Sequence, residues 1–340
     1  MRNSFFCIDA HTCGNPVRLV AGGGPLLPHL PMGERREIFV RDHDWVRKAL
    51  MFEPRGHDIM SGSIIYPAYR EDCDFAVLFI EVSGCLPMCG AGTIGTVTAA
   101  IEEGLVKPRE AGRVAIETPA GRVDVTYEEK GGYVDSVRLH NVASYLHQAD
   151  VEVDVPDMGR LRVDISYGGN YYAVVEPQEN WSGLDGMSAS DIVGCSQRLR
   201  AALAHVCDPV HPDDPRIRGV HHAIWCDRPV NDVSDGRCAV FYGEKAIDRS
   251  PGGTGTSRAH GAALRKGPTC RRFDIPPREP DRNHFRGQGR SRGENWTLCR
   301  HSSEYRRLGA GDRAQHYFRR RSRSAGARFS NSMSVRRGRR

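Results

Sequence analysis

The sequence predicts an α+β fold, and three observations lead to this class. Short apolar runs with strand-like alternation recur along the first 250 residues, turns containing Gly or Pro separate them, and helical spacing occurs in only a few places. A doubly wound sheet would need strands and helices in regular alternation. Residues 258–340 contain few aliphatic side chains, so the C-terminal part is expected to be disordered.

The predicted elements follow one another with three helices among the strands. Apolar residues three to four apart predict helices over 34–51, 92–103 and 187–206, and Ser188 or Ser190 is the expected N-cap of the third. Strands are predicted over residues 5–9, 17–21, 63–66, 75–81, 114–118, 122–127, 134–139, 151–155, 161–165, 171–175, 222–225 and 238–242.

Charge divides the chain into two unlike parts. Residues 258–340 hold 23 of the 48 Lys and Arg residues and 6 of the 42 Asp and Glu residues, a net charge of +17. The part before them is acidic, with a net charge of −11. A tail this basic binds polyanions without sequence preference, but it offers no helix pattern, aromatic platform or base-reading motif for specific nucleic-acid recognition.

The cysteines and the N-terminal residues predict a cytoplasmic location. Eleven cysteines are scattered without a C-x-x-C pair, which indicates reduced thiols rather than disulfides or a structural zinc site. The N-terminal residues include no apolar segment with the length of an export signal or a membrane span.

The stretch 88–95, which reads MCGAGTIG, is the feature around which the rest of the chain is organised. It follows the most apolar run, 75–80, and precedes a predicted helix, so Cys89 is expected at a helix N-terminus. Backbone N–H groups and the helix dipole there favour a thiolate and can hold a carboxylate. The alternative is a buried cysteine in an ordinary strand–helix turn.

A second glycine-rich turn, 248–256, echoes the first. When the two are aligned, Cys89 falls on Gly252 and Gly90 on Gly253. This echo predicts two similar halves that face one ligand, although glycine turns often serve only the backbone. A phosphate-binding P-loop is excluded because no Lys follows the final Gly-Thr.

Several motifs between residues 5 and 257 resemble the proline racemase family, and most closely its 4-hydroxyproline 2-epimerases. They are HTCGNP at 11–16, EPRGHD at 53–58, MSGS at 60–63, YGGN at 167–170 and DRSP at 248–251. The resemblance implies two pseudo-symmetric halves of the proline racemase and diaminopimelate epimerase type, each a curved sheet around a central helix. The active site would lie in the cleft between them.

The resemblance also implies a chemistry without cofactor or metal. In this family one cysteine thiolate removes the Cα proton of the amino acid, and a second thiol returns a proton on the opposite face. Two helix N-termini hold the substrate carboxylate and the developing negative charge. Cys89 corresponds to the proton acceptor. The implied substrate contacts are Gly90, Ala91, His222, Asp248, Gly253 and Thr254, and the Asp248 carboxylate suits the ring ammonium.

Two departures from the family pattern affect these positions directly. The family has His where this chain has Ala91, and it has the second catalytic Cys where this chain has Gly252. Related dehydratases place Thr at the second position, which Gly252 does not match either. One base change converts a Cys codon into a Gly codon, so recent loss and a sequence error both remain open.

The tail reads as a shifted reading frame. After Ser257 the family continues Ala-Arg-Met-Ala, whereas this chain has Arg-Ala-His-Gly. These four residues, written as CGC GCG CAT GGC and read one base later, give Ala-Arg-Met. The same shift continued through residue 279 yields ARMAQLYARGRLAVGSTFRHES, which is similar to the family. Residues 258–340 are therefore predicted to be out of frame, after a net gain of one base near Ser257.

Together these observations predict a 4-hydroxyproline 2-epimerase-like isomerase of hydroxyproline degradation that is inactive or impaired. The expected parts are a first half over 1–128, a truncated second half over 129–257 and the Arg-rich tail over 258–340. The expected partner is a small molecule, hydroxyproline or proline, with no membrane and no specific nucleic acid, and a homodimer is left open. The alternative is a non-enzymatic protein that binds a ligand or a polyanion.

Overall fold

The computed structural model describes residues 2–12, 14–228 and 236–248, together with four short strands farther along the chain. The helical segments are α1 Met32–Ile38, a π-helical turn Phe39–His43, α2 Asp44–Met51, α3 Gly90–Glu102 and α4 Ala189–Leu203. The strands are β1 Arg2–Thr12, β2 Asn15–Gly22, β3 Ser61–Tyr66, β4 Phe75–Glu81, β5 Gly84–Leu86, β6 Arg113–Thr118, β7 Gly121–Lys130, β8 Tyr133–His140, β9 Tyr145–Val155, β10 Gly159–Tyr167, β11 Tyr171–Val175, β12 Val220–Asp227, β13 Gly236–Tyr242 and β14 Ala246–Ile247.

A mixed sheet built on β4 forms the first half. Its pairings run β1–β2–β3–β4–β6–β7–β8, parallel at β2–β3 and β4–β6 and antiparallel elsewhere. Every residue of β4 is buried, because α3 packs on one face of the sheet and α1 and α2 pack on the other. Burial on both faces explains why this strand reads as an unbroken apolar run.

The second half is a sheet in the order β9–β10–β11–β12–β13–β14, with β11–β12 as its parallel pair. Helix α4 packs on one face, where the indole Nε1 of Trp225 donates to Ser196 Oγ at 2.7 Å. Ser188 is the N-cap of α4 and forms a capping box with Asp191, which supports one of the two expected caps. These two curved sheets with few helices confirm the predicted α+β class.

Two boundaries differ from those expected from the sequence. The single helix expected over 34–51 is divided by the π-helical turn, and α-helical spacing resumes at Asp44, whose carboxylate pairs with Arg47 and Lys48. The expected division after residue 128 falls inside β7, which pairs with β8 in the first sheet. The sheets change between β8 and β9, because the hydrogen bonds of the β7–β8 hairpin hold β8 in the first sheet.

The internal echo corresponds to a repeated local geometry. Strand β4 turns tightly into β5, and Cys89 follows three residues after β5 ends. Strand β13 turns into β14 through a loop that is one residue longer, and Asp248 follows directly. Both motifs therefore begin beyond a short antiparallel hairpin.

In the C-terminal part the structure describes four short strands. They are β15 Arg272–Asp274, β16 His284–Gln288, β17 Thr297–Leu298 and β18 Met333–Arg336. Strand β15 pairs with β13 and β16, β16 also pairs with β17, and β17 also pairs with β8. Strand β18 pairs with β1. The remainder of 258–340 lies outside the described residues, so its expected disorder stays a prediction. No helix in the described part has the length and apolar character needed to cross a membrane.

Candidate active site

One cleft between the two sheets collects the predicted site residues that the structure describes. Its residues from the first half are Asn15, Ser61, Glu81, Leu86, Met88, Cys89, Gly90 and Ala91, and those from the second half are Asn170, Tyr172, His222, Val240, Tyr242 and Asp248. The space among them is about 410 Å³, part of it open to solvent. The sequence thus anticipated Cys89, Gly90, Ala91, His222 and Asp248 as neighbours, whereas Gly252, Gly253 and Thr254 lie outside the described residues.

Cys89 caps the N-terminus of α3. Its backbone is extended, with φ −140° and ψ 115°, and its Sγ accepts a hydrogen bond from the Gly92 N–H at 3.2 Å. Thr93 donates to the Cys89 carbonyl oxygen from its N–H at 2.9 Å and from its hydroxyl at 2.8 Å. The sulfur therefore lies at the N-terminus of the helix and accepts one of the N–H groups of its first turn, as the sequence predicted.

The surroundings of the Cys89 thiol act against the thiolate that is expected at a helix N-terminus. Burial raises the pKa of the Cys89 thiol well above its ordinary value, and the charge of Glu81 raises this pKa further, against a lowering by the Gly92 N–H. A helix N-terminus stabilises a thiolate only modestly. Desolvation and a neighbouring carboxylate therefore oppose the thiolate that the helix N-terminus favours.

Glu81 is a cleft residue that sequence reasoning missed. It ends β4, is 3% exposed, and lines the cleft together with Cys89. Burial raises the pKa of Glu81 to about 7, and Asp248 adds to this rise, while interactions with Cys89, Ser83 and Ser61 oppose it. The signal in the sequence was an acidic residue at the end of the most apolar run, where a charge is rarely buried without a role.

A second-half side chain fixes the loop that leads into Cys89. The amide of Asn170, 4% exposed, donates to the Met88 carbonyl oxygen at 2.7 Å. Asn141 in turn donates to the Gly168 carbonyl oxygen at 2.9 Å, next to the tight turn between β10 and β11. Asn170 was noticed in the sequence only as part of a motif, because a contact 82 residues away leaves no local pattern.

The opposite wall of the cleft comes from β11, β12 and the end of β14. The His222 ring is 3% exposed and lies 4.8 Å from the Tyr172 ring, with a tilt of 39°. The Asp248 N–H donates to the Val240 carbonyl oxygen at 2.8 Å, which holds Asp248 at the cleft. An imidazole and a carboxylate thus face the Cys89 side, with polarity that suits an ammonium group.

Ala91, in the first turn of α3, is tied to the end of β1. Its carbonyl oxygen accepts a hydrogen bond from the Thr12 hydroxyl at 2.9 Å, and the residue lines the cleft.

The described residues contain no group of three His, Cys, Asp or Glu side chains arranged to hold a metal ion.

The fold and site define a class of two-half α+β proteins whose cleft carries a cysteine at a helix N-terminus. The sequence pattern of the family described as proline racemase matches residues 7–268, and the chain belongs to this family. It is 79% identical to 4-hydroxyproline 2-epimerase 2 of Rhizobium rhizogenes over 257 residues, covering 76% of this chain and 77% of that protein. It is 56% identical to the probable 4-hydroxyproline 2-epimerase of Rhizobium meliloti over 255 residues, which are 75% and 77% of the two chains.

Solved structures give the same architecture. A hydroxyproline epimerase from Agrobacterium vitis with bound trans-4-hydroxy-L-proline superposes with a TM-score of 0.76 at 25% identity, covering 88% of this chain and 90% of that one. A probable proline racemase from Agrobacterium radiobacter K84 with bound carbonate superposes with a TM-score of 0.75 at 26% identity, covering 86% and 89%.

Proposed function

We propose that this chain is a 4-hydroxyproline 2-epimerase whose two-base machinery is incomplete. The observation that carries the proposal is the shared cleft, in which Cys89 faces His222 and Asp248 across the two sheets. In this reading the α3 N-terminus and Gly90 hold the substrate carboxylate, and Asp248 binds the ring ammonium. Relatives named 4-hydroxyproline 2-epimerase and a similar structure with bound trans-4-hydroxy-L-proline support this choice of substrate.

The proposed reaction interconverts trans-4-hydroxy-L-proline and cis-4-hydroxy-D-proline. Cys89 takes the Cα proton from one face, and the electron pair left on carbon is stabilised through the carboxylate by the helix N–H groups. Inversion then requires a proton donor on the opposite face. Gly252 occupies the family position of that donor and has no proton to give, so the chain is expected to remove a proton without inverting the centre.

Two further features reduce the expected activity. Ala91 replaces a His that contacts substrate in the family, and residues 258–340 are proposed to be out of frame. The proposed parts are accordingly two sheet-based halves, divided between β8 and β9 rather than after residue 128, and a tail from Arg258.

Deuterium exchange at Cα tests this proposal. The purified chain is incubated in deuterated water with each enantiomer, and mass spectrometry follows deuterium uptake while polarimetry follows inversion. We expect uptake by one enantiomer, no change in optical rotation, and loss of uptake in Cys89→Ser. Robust inversion would contradict the claim of impairment, and no uptake by either enantiomer would contradict the one-sided chemistry. Resequencing the DNA over codons 252–258 decides whether Gly252 and the frame change are real.

A second candidate role follows from charge. A net charge of +17 over 258–340 favours polyanion binding, independent of any activity in the cleft. Retention on heparin that falls steeply as the salt concentration rises would support polyanion binding, and retention that salt does not change would contradict it. Calorimetry with hydroxyproline separates ligand binding in the cleft from an inert protein.

A further inference from the structure

Glu81 is an ionisable group without the partners that a buried carboxylate ordinarily has. One oxygen, Oε2, accepts a hydrogen bond from the Ser83 hydroxyl at 3.1 Å, whereas Oε1 is buried with no hydrogen-bond donor among the described residues. Within the same part of the chain no Lys or Arg forms an ion pair with it, since the nearby Arg47 donates to the Glu81 backbone carbonyl oxygen at 2.9 Å. A buried carboxylate without an ion pair is costly, so its place in the cleft calls for a reason.

The groups around this carboxyl are few. The Cys89 thiol and the Asp248 carboxyl line the same cleft as Glu81, and Cys85 of β5 packs in the apolar cluster that includes α2. The remaining neighbours are the hydroxyls of Ser61 and Ser83. Of these groups, only the Cys89 thiol combines an exchangeable proton with a place at the helix N-terminus.

We propose that Glu81 accepts the proton of the Cys89 thiol, so that the two side chains form one acid/base unit in the cleft. In this step the S–H bond breaks, an O–H bond forms on Oε1 or Oε2, and the electron pair stays on sulfur. The net charge of the pair remains −1 throughout. Glu81 acts through Cys89 and does not contact the reacting carbon, so it is a positioning residue for the reaction proposed above, on which this role rests.

The charge balance favours this arrangement over a thiolate formed by loss of a proton to solvent. A thiolate beside an ionised Glu81 would place two negative charges in one buried site, near a third at Asp248. Transfer within the pair avoids this, and it places a base beside the thiol. The same unit returns the proton to sulfur when the substrate leaves.

A pair of this kind has a distinctive pH profile. The thiolate with a neutral Glu81 and the thiol with an ionised Glu81 differ only in where one proton sits, so their ratio does not depend on pH. Thiolate reactivity at Cys89 should therefore rise as Glu81 ionises near pH 7, remain level above it, and rise again only when the second proton leaves. An isolated thiol shows a single rise of about tenfold per pH unit below its pKa.

Alkylation of the full chain by iodoacetamide between pH 5.5 and 9.5, resolved by residue with mass spectrometry, tests the proposal. We expect the rate at Cys89 to change less than about threefold from pH 7.5 to 9. In Glu81→Gln the plateau should disappear, which makes the variant about tenfold faster than the parent at pH 8. Glu103→Gln, an exposed change at the other end of α3, should leave the plateau intact.

Two features keep the result decisive. Cys73 is buried without Glu81 beside it, and burial raises the pKa of its thiol to about 11, so its rate should rise steadily in the same samples. The profile of the parent chain alone is sufficient if Glu81→Gln fails to fold, because a steady tenfold rise per pH unit at Cys89 from pH 7.5 to 9 would overturn the proposal. Alkylation needs no hydroxyproline, so a plateau without Cα exchange supports the pair while contradicting the epimerase function.

Discussion

Two buried glutamates of the first half should respond in opposite ways when each is replaced by Gln. Glu81 is 3% exposed and leaves Oε1 without a donor. Glu117 is 2% exposed but accepts hydrogen bonds from three backbone N–H groups, those of Met32 at 3.1 Å, Tyr69 at 2.7 Å and Arg70 at 3.1 Å. The change to Gln therefore removes a buried charge at Glu81, whereas at Glu117 it disrupts hydrogen bonds from three backbone N–H groups.

The magnitude for Glu81 follows from linkage. Its pKa is higher in the folded chain, about 7, than its ordinary value of 4.5. The destabilisation by Glu81 is thus absent below its pKa of 4.5 in the unfolded chain. It grows as pH rises from there towards the pKa in the folded chain, and it is complete above about pH 7. A shift of this size corresponds to about 3 kcal/mol. Glu81→Gln should raise the free energy of unfolding by about 1 kcal/mol at pH 5.5 and about 3 kcal/mol at pH 8.5.

The magnitude for Glu117 follows from unsatisfied donors. A Gln amide has one acceptor oxygen, and its NH₂ group would face at least one of the three backbone N–H groups. A buried donor left without a partner costs about 1–3 kcal/mol. Adding the weakening of the remaining charge-assisted bonds, we expect Glu117→Gln to lower the free energy of unfolding by about 2–4 kcal/mol.

Urea unfolding followed by tryptophan fluorescence at pH 5.5 and 8.5 measures both variants beside the parent. The decisive quantity is the change in free energy of unfolding relative to the parent at each pH. If Glu81→Gln destabilises the chain at pH 8.5 as Glu117→Gln does, the Glu81 carboxylate has hydrogen-bond donors that offset its burial, and the prediction is wrong. A gain in the free energy of unfolding that does not grow from pH 5.5 to 8.5 would contradict the raised pKa of Glu81.

Three further predictions concern the cleft and its surroundings. In Asn170→Asp a carboxylate replaces the amide that donates to a buried carbonyl oxygen, so the free energy of unfolding should fall by about 2–3 kcal/mol at pH 8 and recover towards pH 5, where the protonated acid can donate. In Gly92→Ala the new Cβ would lie 3.1 Å from the Cys89 Sγ, and this crowding should outweigh the better helix propensity, lowering the free energy of unfolding by about 1 kcal/mol. Cys226 and Cys238 lie directly opposite each other on β12 and β13, so oxidation by diamide should join them in a disulfide that peptide mapping detects.

Each of these changes has a control that the structure supplies. Asn180 also donates to a backbone carbonyl oxygen, at 3.0 Å but in an exposed setting, so Asn180→Asp should alter stability by less than about 0.5 kcal/mol. In Gly194→Ala the new Cβ would meet only Arg198 Nη1 at 3.5 Å, so stability should rise by up to about 1 kcal/mol. Equal losses of stability in Asn170→Asp and Asn180→Asp would contradict the first prediction, and equal losses in Gly92→Ala and Gly194→Ala would contradict the second. A cross-link that survives Cys226→Ser would contradict the third.

The sequence alone was sufficient for most of the elements and for the half of the site that the central motif carries. The alternation of apolar residues located β4, and the glycines after Cys89 located the start of α3, because both depend on residues adjacent in the chain. Motif resemblance identified the family and placed His222 and Asp248 beside Cys89, which the cleft contains. Ser188 as N-cap was one of two choices, and the capping box with Asp191 decided between them.

The tertiary structure alone decided the contacts that set the chemistry. Strand β4 turns back into β5, and the return of the chain brings Glu81 beside Cys89, eight residues away. The sheet of the second half brings Asn170 to the Met88 carbonyl oxygen. A helix N-terminus by itself favours a thiolate, but burial and the carboxylate of Glu81 raise the pKa of the Cys89 thiol and oppose it. Desolvation and charge pairing depend on everything packed around a group, so no local stretch of residues contains them.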